Sequence, residues 1–76
     1  MAMTMRVLVD DAPTVLARLA LLLSRGDVEL TALSVQRVEG APLRLLVVEL
    51  DASAVQVEQL RRRLTKLVNV VEVCAA

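Results

Sequence analysis

No phenylalanine, tyrosine, tryptophan, histidine or isoleucine occurs in this chain of 76 residues. Any core it builds must therefore be packed from leucine, valine, methionine and alanine, without one aromatic anchor. The same absences narrow its function. Without histidine there is no imidazole to serve as a general base or metal ligand near neutral pH. Without aromatic rings there is no platform on which nucleobases could stack. Nine basic and nine acidic residues balance, so nothing draws the chain as a whole to a polyanion. The single cysteine, Cys74, has no second thiol with which to close an internal disulfide. It reads as a small apolar residue in a reducing cytoplasm. No nucleophile–base pair or cofactor loop is visible, so an enzyme is not expected.

Apolar residues make up 57% of the chain, against about 45–50% in an ordinary globular protein. A domain this small is marginal alone and commonly leans on a disulfide, a metal or a partner. With no second cysteine and no metal motif, association is the expected staple. No apolar run reaches the roughly 18 residues of a membrane span, and no signal peptide is legible at the start. One domain over residues 1–76, in the cytoplasm and off the membrane, is the expectation.

The apolar pattern changes period along the chain. Met3, Met5, Val7 and Val9 alternate with Thr4, Arg6 and Leu8, the period of a strand. Asp10-Asp11 stops it, and Pro13 opens a helix with Asp11 or Ala12 at the cap. From Thr14 to Ser24 the apolar stripe Val15, Leu16, Leu19, Leu22, Leu23 has helical spacing, and Gly26-Asp27 ends it. Alternation returns over Val28 to Val38, with Leu33 and Val35 assigned to the face opposite Leu30. Glu39-Gly40-Ala41-Pro42 is a turn, and Leu43 to Leu50 a third strand, so the two strands form an antiparallel hairpin. Asp51-Ala52-Ser53 caps a second helix with Val57, Leu60, Leu64 and Leu67 on one face. Asn69 breaks it before a short strand, Val70 to Cys74. This order is the α+β, ferredoxin-like βαββαβ arrangement: a four-stranded antiparallel sheet with two helices on one face.

The face of the sheet away from the helices should be polar. The third strand instead offers apolar residues to both sides, and the first adds Leu8. Leu8, Leu33, Val35, Leu46 and Val48 are therefore candidates for a contact surface. Asp10-Asp11 has no third ligand for a metal, and helix capping explains it better. Arg61-Arg62-Arg63 wraps most of a helical turn and reads first as a solvated face. Arg18, Arg25 or Arg61 to Arg63 could supply a charged docking rim.

The run VLVDDAPTVLARLALLLSRGDVELTALSV, from Val7 to Val35, resembles the start of the acetolactate synthase (acetohydroxyacid synthase) small regulatory subunit, and LTKLVNV, from Leu64 to Val70, is similar to a signature near that domain's end. Only the stretch from about Gln36 to Ala54 aligns loosely. These features also occur in ACT domains generally, whose fold is the βαββαβ arrangement reached above. The resemblance implies a homodimer joined through sheets or helices, with an amino-acid effector held at the interface. The matching effector positions are Asp11, Thr14 and Glu29, with Val15 and Leu30 beside them. All three of the former depart from the family pattern: two are acids in place of neutral amides, and Thr14 replaces a glycine. Two acids near a ligand carboxylate would repel it, so valine feedback is expected to be weak or absent. The implied role is activation of a catalytic subunit that itself carries thiamine diphosphate, FAD and magnesium; this chain carries no cofactor. The rivals are a free-standing ACT module sensing another small molecule and a purely structural dimerisation module.

Overall fold

In a computed structural model, which describes residues 1–25 and 28–75, six elements follow in the order β1 (Ala2–Asp10), α1 (Pro13–Arg25), β2 (Glu29–Arg37), β3 (Leu43–Asp51), α2 (Ala54–Thr65) and β4 (Val70–Ala75). The strands form one antiparallel sheet in the order β2-β3-β1-β4. The four strands and two helices are those expected from the periodicity. Sequence positions 26 and 27, where the end of α1 was placed, lie outside the described residues.

The core follows from register. Met3, Met5 and Val7 on β1 lie opposite Leu50, Val48 and Leu46 on β3. Paired residues share a face, so this set turns together toward the helices. From α1 come Val15, Leu19 and Leu23, and from α2 Val57, Leu60 and Leu64, all buried. No polar side chain is buried with them among the described residues. Full burial of each large aliphatic side chain contributes about 1.5–3 kcal/mol. This core therefore rests on Leu, Val and Met as the composition required.

Local chemistry fixes the helix ends. Ser53 precedes α2 and accepts a hydrogen bond from the Gln56 amide on Oγ at 3.2 Å. The Ser53 amide in turn donates to Gln56 Oε1 at 2.9 Å, closing a capping box. At α1 the backbone of Ala12 does the capping, since its carbonyl accepts from Val15 and Leu16. The Asp11 carboxylate, the alternative cap, is turned instead to Arg44.

Two expectations about faces need correction. Leu46 and Val48 were candidates for an exposed contact face; they are 2% and 0% exposed, sealed under the helices by their pairing with Val7 and Met5. Leu30 was assigned away from Leu33 and Val35. The β2–β3 register shifts between Leu30 and Ala32, leaving Thr31 as an extra residue. A bulge of this kind reverses the parity of everything beyond it. Leu30, Leu33 and Val35 thus all lie on the helix side, opposite Leu50, Val48 and Leu46. The open side of the sheet carries Thr4, Arg6, Glu49, Glu72 and Cys74 around a small half-buried apolar trio of Leu8, Leu45 and Val47.

Candidate functional site

The turn from β1 into α1 is held from two sides. The Asp10 amide donates to the Asn69 carbonyl and the Asp11 amide to the Pro42 carbonyl, both at 3.0 Å. These bonds bring the α2–β4 loop and the tip of the β2–β3 hairpin to the same end of the sheet. Gly40, with φ of 78°, lets the hairpin tip close. The result is an open groove of ≈ 370 Å³ whose walls include Asp11, Arg37, Glu39, Gly40 and Leu43. Asp11 Oδ1 lies 2.7 Å from Arg44 Nε. Thr14 is exposed in the first turn of α1, and Val15 beside it is buried.

Glu29 and Leu30 are at the other end of the sheet. Asp10 lies opposite Leu43, whereas Glu29 lies opposite Asp51. Along β3 that separation is roughly 26 Å at about 3.3 Å per residue. The five effector positions inferred from the resemblance are thus two clusters within one chain. Asp11, Thr14 and Val15 come together; Glu29 and Leu30 do not join them. One chain does not set both acids against one ligand carboxylate.

The basic residues divide as well. Arg61 holds Glu58 in a two-pronged contact, Nη2 to Oε1 at 2.6 Å and Nε to Oε2 at 2.9 Å, and Arg62 reaches the same carboxylate at 3.4 Å. The Arg61 hydrogen bond dominates, joined by the positive charges of Arg61 and Arg62, and pushes the Glu58 carboxyl down from 4.5 to about 2. Arg63 is exposed. Arg18 lines a groove of ≈ 180 Å³ with Val15, Lys66, Leu67, Val68 and Asn69. The side chain of Arg25 lies outside the described residues.

Sequence reasoning missed Arg37, Arg44 and Asp51. Arg44 and Asp51 lie across the ladder from Arg37 and Glu29, so each end of β2–β3 juxtaposes two like charges. The signal was available in ELTALSVQR, a strand with one acid at its start and one base at its end. Cys74 is exposed, its Sγ 3.7 Å from Glu72 Oε1. Among the described residues no group of three or more Cys, Asp or Glu side chains is placed to hold a metal, and no helix is long and apolar enough to cross a membrane.

Comparison with known proteins bears on the whole of this surface. The family described as the AHAS small subunit-like ACT domain matches residues 5–72. The acetolactate synthase small subunit of Mycobacterium leprae is 37% identical over 70 residues, 92% of this chain and 41% of that one. That of Mycobacterium bovis is 36% identical over the same length. The chain thus spans about two-fifths of the length of these relatives. Among solved structures, the acetolactate synthase small subunit from Thermotoga maritima superposes with a TM-score of 0.89 at 27% identity, covering 99% of this chain and 47% of that one. The ACT domain from GTP pyrophosphokinase of Chlorobium tepidum, at 12% identity and a TM-score of 0.81, shares the fold.

Proposed function

The chain belongs to the family of ACT domains like those of the AHAS small subunit, and from that premise we propose that it is a non-catalytic, activating regulatory subunit of acetolactate synthase in branched-chain amino-acid biosynthesis. The observation that carries this is the match over residues 5–72, which includes both helices, the whole of β2 and β3, and part of β1 and β4. On this reading the chain forms a homodimer in the cytoplasm and docks on a catalytic subunit. That subunit supplies thiamine diphosphate, FAD and magnesium. Activation then requires that the docked chain bind the competent conformation of its partner more tightly than the incompetent one.

Valine feedback is weak or absent in this proposal. Asp11, at the matching effector position, is already engaged by Arg44 at 2.7 Å. A ligand carboxylate entering there would have to compete with Asp11 for that guanidinium. It would also meet Thr14, whose side chain fills space that a glycine would leave open.

The test is reconstitution. Mixing the purified chain with the acetolactate synthase catalytic subunit from the same source is expected to raise acetolactate formation severalfold, with co-elution of the two. No rise and no co-elution would overturn the reading. Titration calorimetry with valine is expected to show no binding below millimolar concentrations. A large thermal shift with one small molecule and no effect on the catalytic subunit would instead favour a free-standing sensor.

A further inference from the structure

Nine basic and nine acidic residues cancel over the whole chain, but they do not cancel over its parts. Six of the nine basic residues, Arg18, Arg25, Arg61, Arg62, Arg63 and Lys66, fall in α1, α2 and the α2 cap, together with one of the nine acids, Glu58. The other eight acids and three basic residues fall in the strands and connections. The helical segments thus carry an excess of five positive charges, and the rest of the chain an equal negative excess. Glu58 answers Arg61 and Arg62. Among the described residues, Arg18, Arg63 and Lys66 have no acidic partner.

Two of these three meet at one place. Arg18 of α1 and Lys66 at the end of α2 line the same groove of ≈ 180 Å³, with Val15, Leu67, Val68 and Asn69. Two cations beside one groove repel each other, so the fold holds them together against their own interaction. Arg63, exposed and three residues before Lys66, is on the same side of α2. The negative end of the α2 dipole favours cations at Arg63 and Lys66. Arg18 has no such reason to be where it is: it lies in the N-terminal half of α1, whose first turn holds no acid. Apolar groups accompany these charges. Val68, in the loop after α2, is 97% exposed, and Leu21, three residues beyond Arg18, is 51% exposed. Neither adds to the core.

We propose that this side of the helix layer, centred on the groove of Arg18 and Lys66, is where the chain docks on an acidic, partly apolar patch of another protein. The proposal rests on the regulatory reading above for the identity of that protein, the catalytic subunit, and names the face that meets it. Charge complementarity sets the sign of the partner surface: Arg18, Arg63 and Lys66 present three unanswered cations with no carboxylate lining the groove between the helices. The apolar groups set its class. Val68 and Leu21 gain by contact with a protein surface that excludes water around the ion pairs. A phosphate backbone would use the cations alone, and the chain has no aromatic ring on which a base could stack.

Charge reversal tests the face. The double variant Arg18→Glu with Lys66→Glu is expected to bind the catalytic subunit about tenfold or more weakly in biolayer interferometry, and Val68→Asp to weaken it severalfold. Arg18→Lys with Lys66→Arg, which keeps both charges, is expected to stay near wild type. So is Arg6→Glu, which reverses a cation on the open side of the sheet. All of these positions are exposed, and thermal melts near that of wild type separate lost docking from lost folding. Wild-type affinity is expected to fall as salt is raised from roughly 50 to 300 mM. Wild-type binding with the double reversal and Val68→Asp both indifferent, or Arg6→Glu weakening as much as the double reversal, would overturn the docking face and leave the regulatory reading standing. A wild-type chain that does not bind the catalytic subunit at all would overturn that reading and the proposal with it. Tighter binding to an RNA or DNA oligonucleotide than to the catalytic subunit, lost in the double reversal, would overturn the choice of a protein partner.

Discussion

Glu58 shows how much one side chain can gather. Held by Arg61 and Arg62 on the next turn of α2, its carboxyl titrates at about 2 where 4.5 is usual. A folded-state value below the unfolded one means that the stability it contributes is present above pH 4.5. That contribution is lost as pH falls from about 4.5 toward 2. The expected observation is a Glu58 carboxyl titration by NMR with its midpoint near 2. The stability difference between wild type and Glu58→Gln should be largest at neutral pH and shrink toward pH 2. Since the site is at the surface, added salt should also reduce the difference. Ser53 is a second place where one atom decides an element's end. Ser53→Ala removes one half of the capping box, and a loss of about 1 kcal/mol is expected in denaturant melts. In the core, Leu64 is completely buried. Leu64→Ala is expected to cost about 2–5 kcal/mol by the same measurement. In a domain of this size, that is enough to leave much of the population unfolded.

At the scale of elements, the sequence was readable wherever periodicity was regular. β1 alternates without fault, and Met5, Val7 and Val9 are buried as the alternation requires. The stripe of α2 is buried at Val57, Leu60 and Leu64 for the same reason. Legibility failed at the bulges and where a run is mostly apolar on both faces. LRLLVVEL has no polar face to reveal which residues turn inward, so Leu46 and Val48 could be assigned to either side until β1 fixed the register. Leu30 was misplaced because nothing in Glu29-Leu30-Thr31-Ala32 announces an extra residue. The candidate effector positions raise a different matter. Asp11 and Glu29 were joined by analogy with a two-chain site, and one chain keeps them at opposite ends of the sheet. The hairpin between these strands also depends on Gly40 at φ 78°. No atom would obstruct an added Cβ there, so Gly40→Ala isolates the backbone cost. About 1–2 kcal/mol of destabilisation is expected, read from thermal melts.

For the molecule as a whole, the apolar excess of the composition is now located. It fills the space between sheet and helices and then continues past the rim, along β2. Glu29 and Arg37, at the two ends of that strand, bound the same surface. Between Glu29 and Arg37 runs LTALSVQ, seven residues without a charge, a proline or a glycine. Such a segment on an unpaired edge meets the compositional requirements for cross-β stacking, and flanking charges are the usual guard against it. Glu29 and Arg37 flank this segment as such a guard. In a chain with both neutralised, Glu29→Gln with Arg37→Gln, thioflavin-positive fibrils are expected to form sooner than in wild type under equal agitation. Equal lag times would show that the two charges do not restrain that route. The charged ends of one short strand would thereby hold an exposed sheet edge back from open-ended stacking.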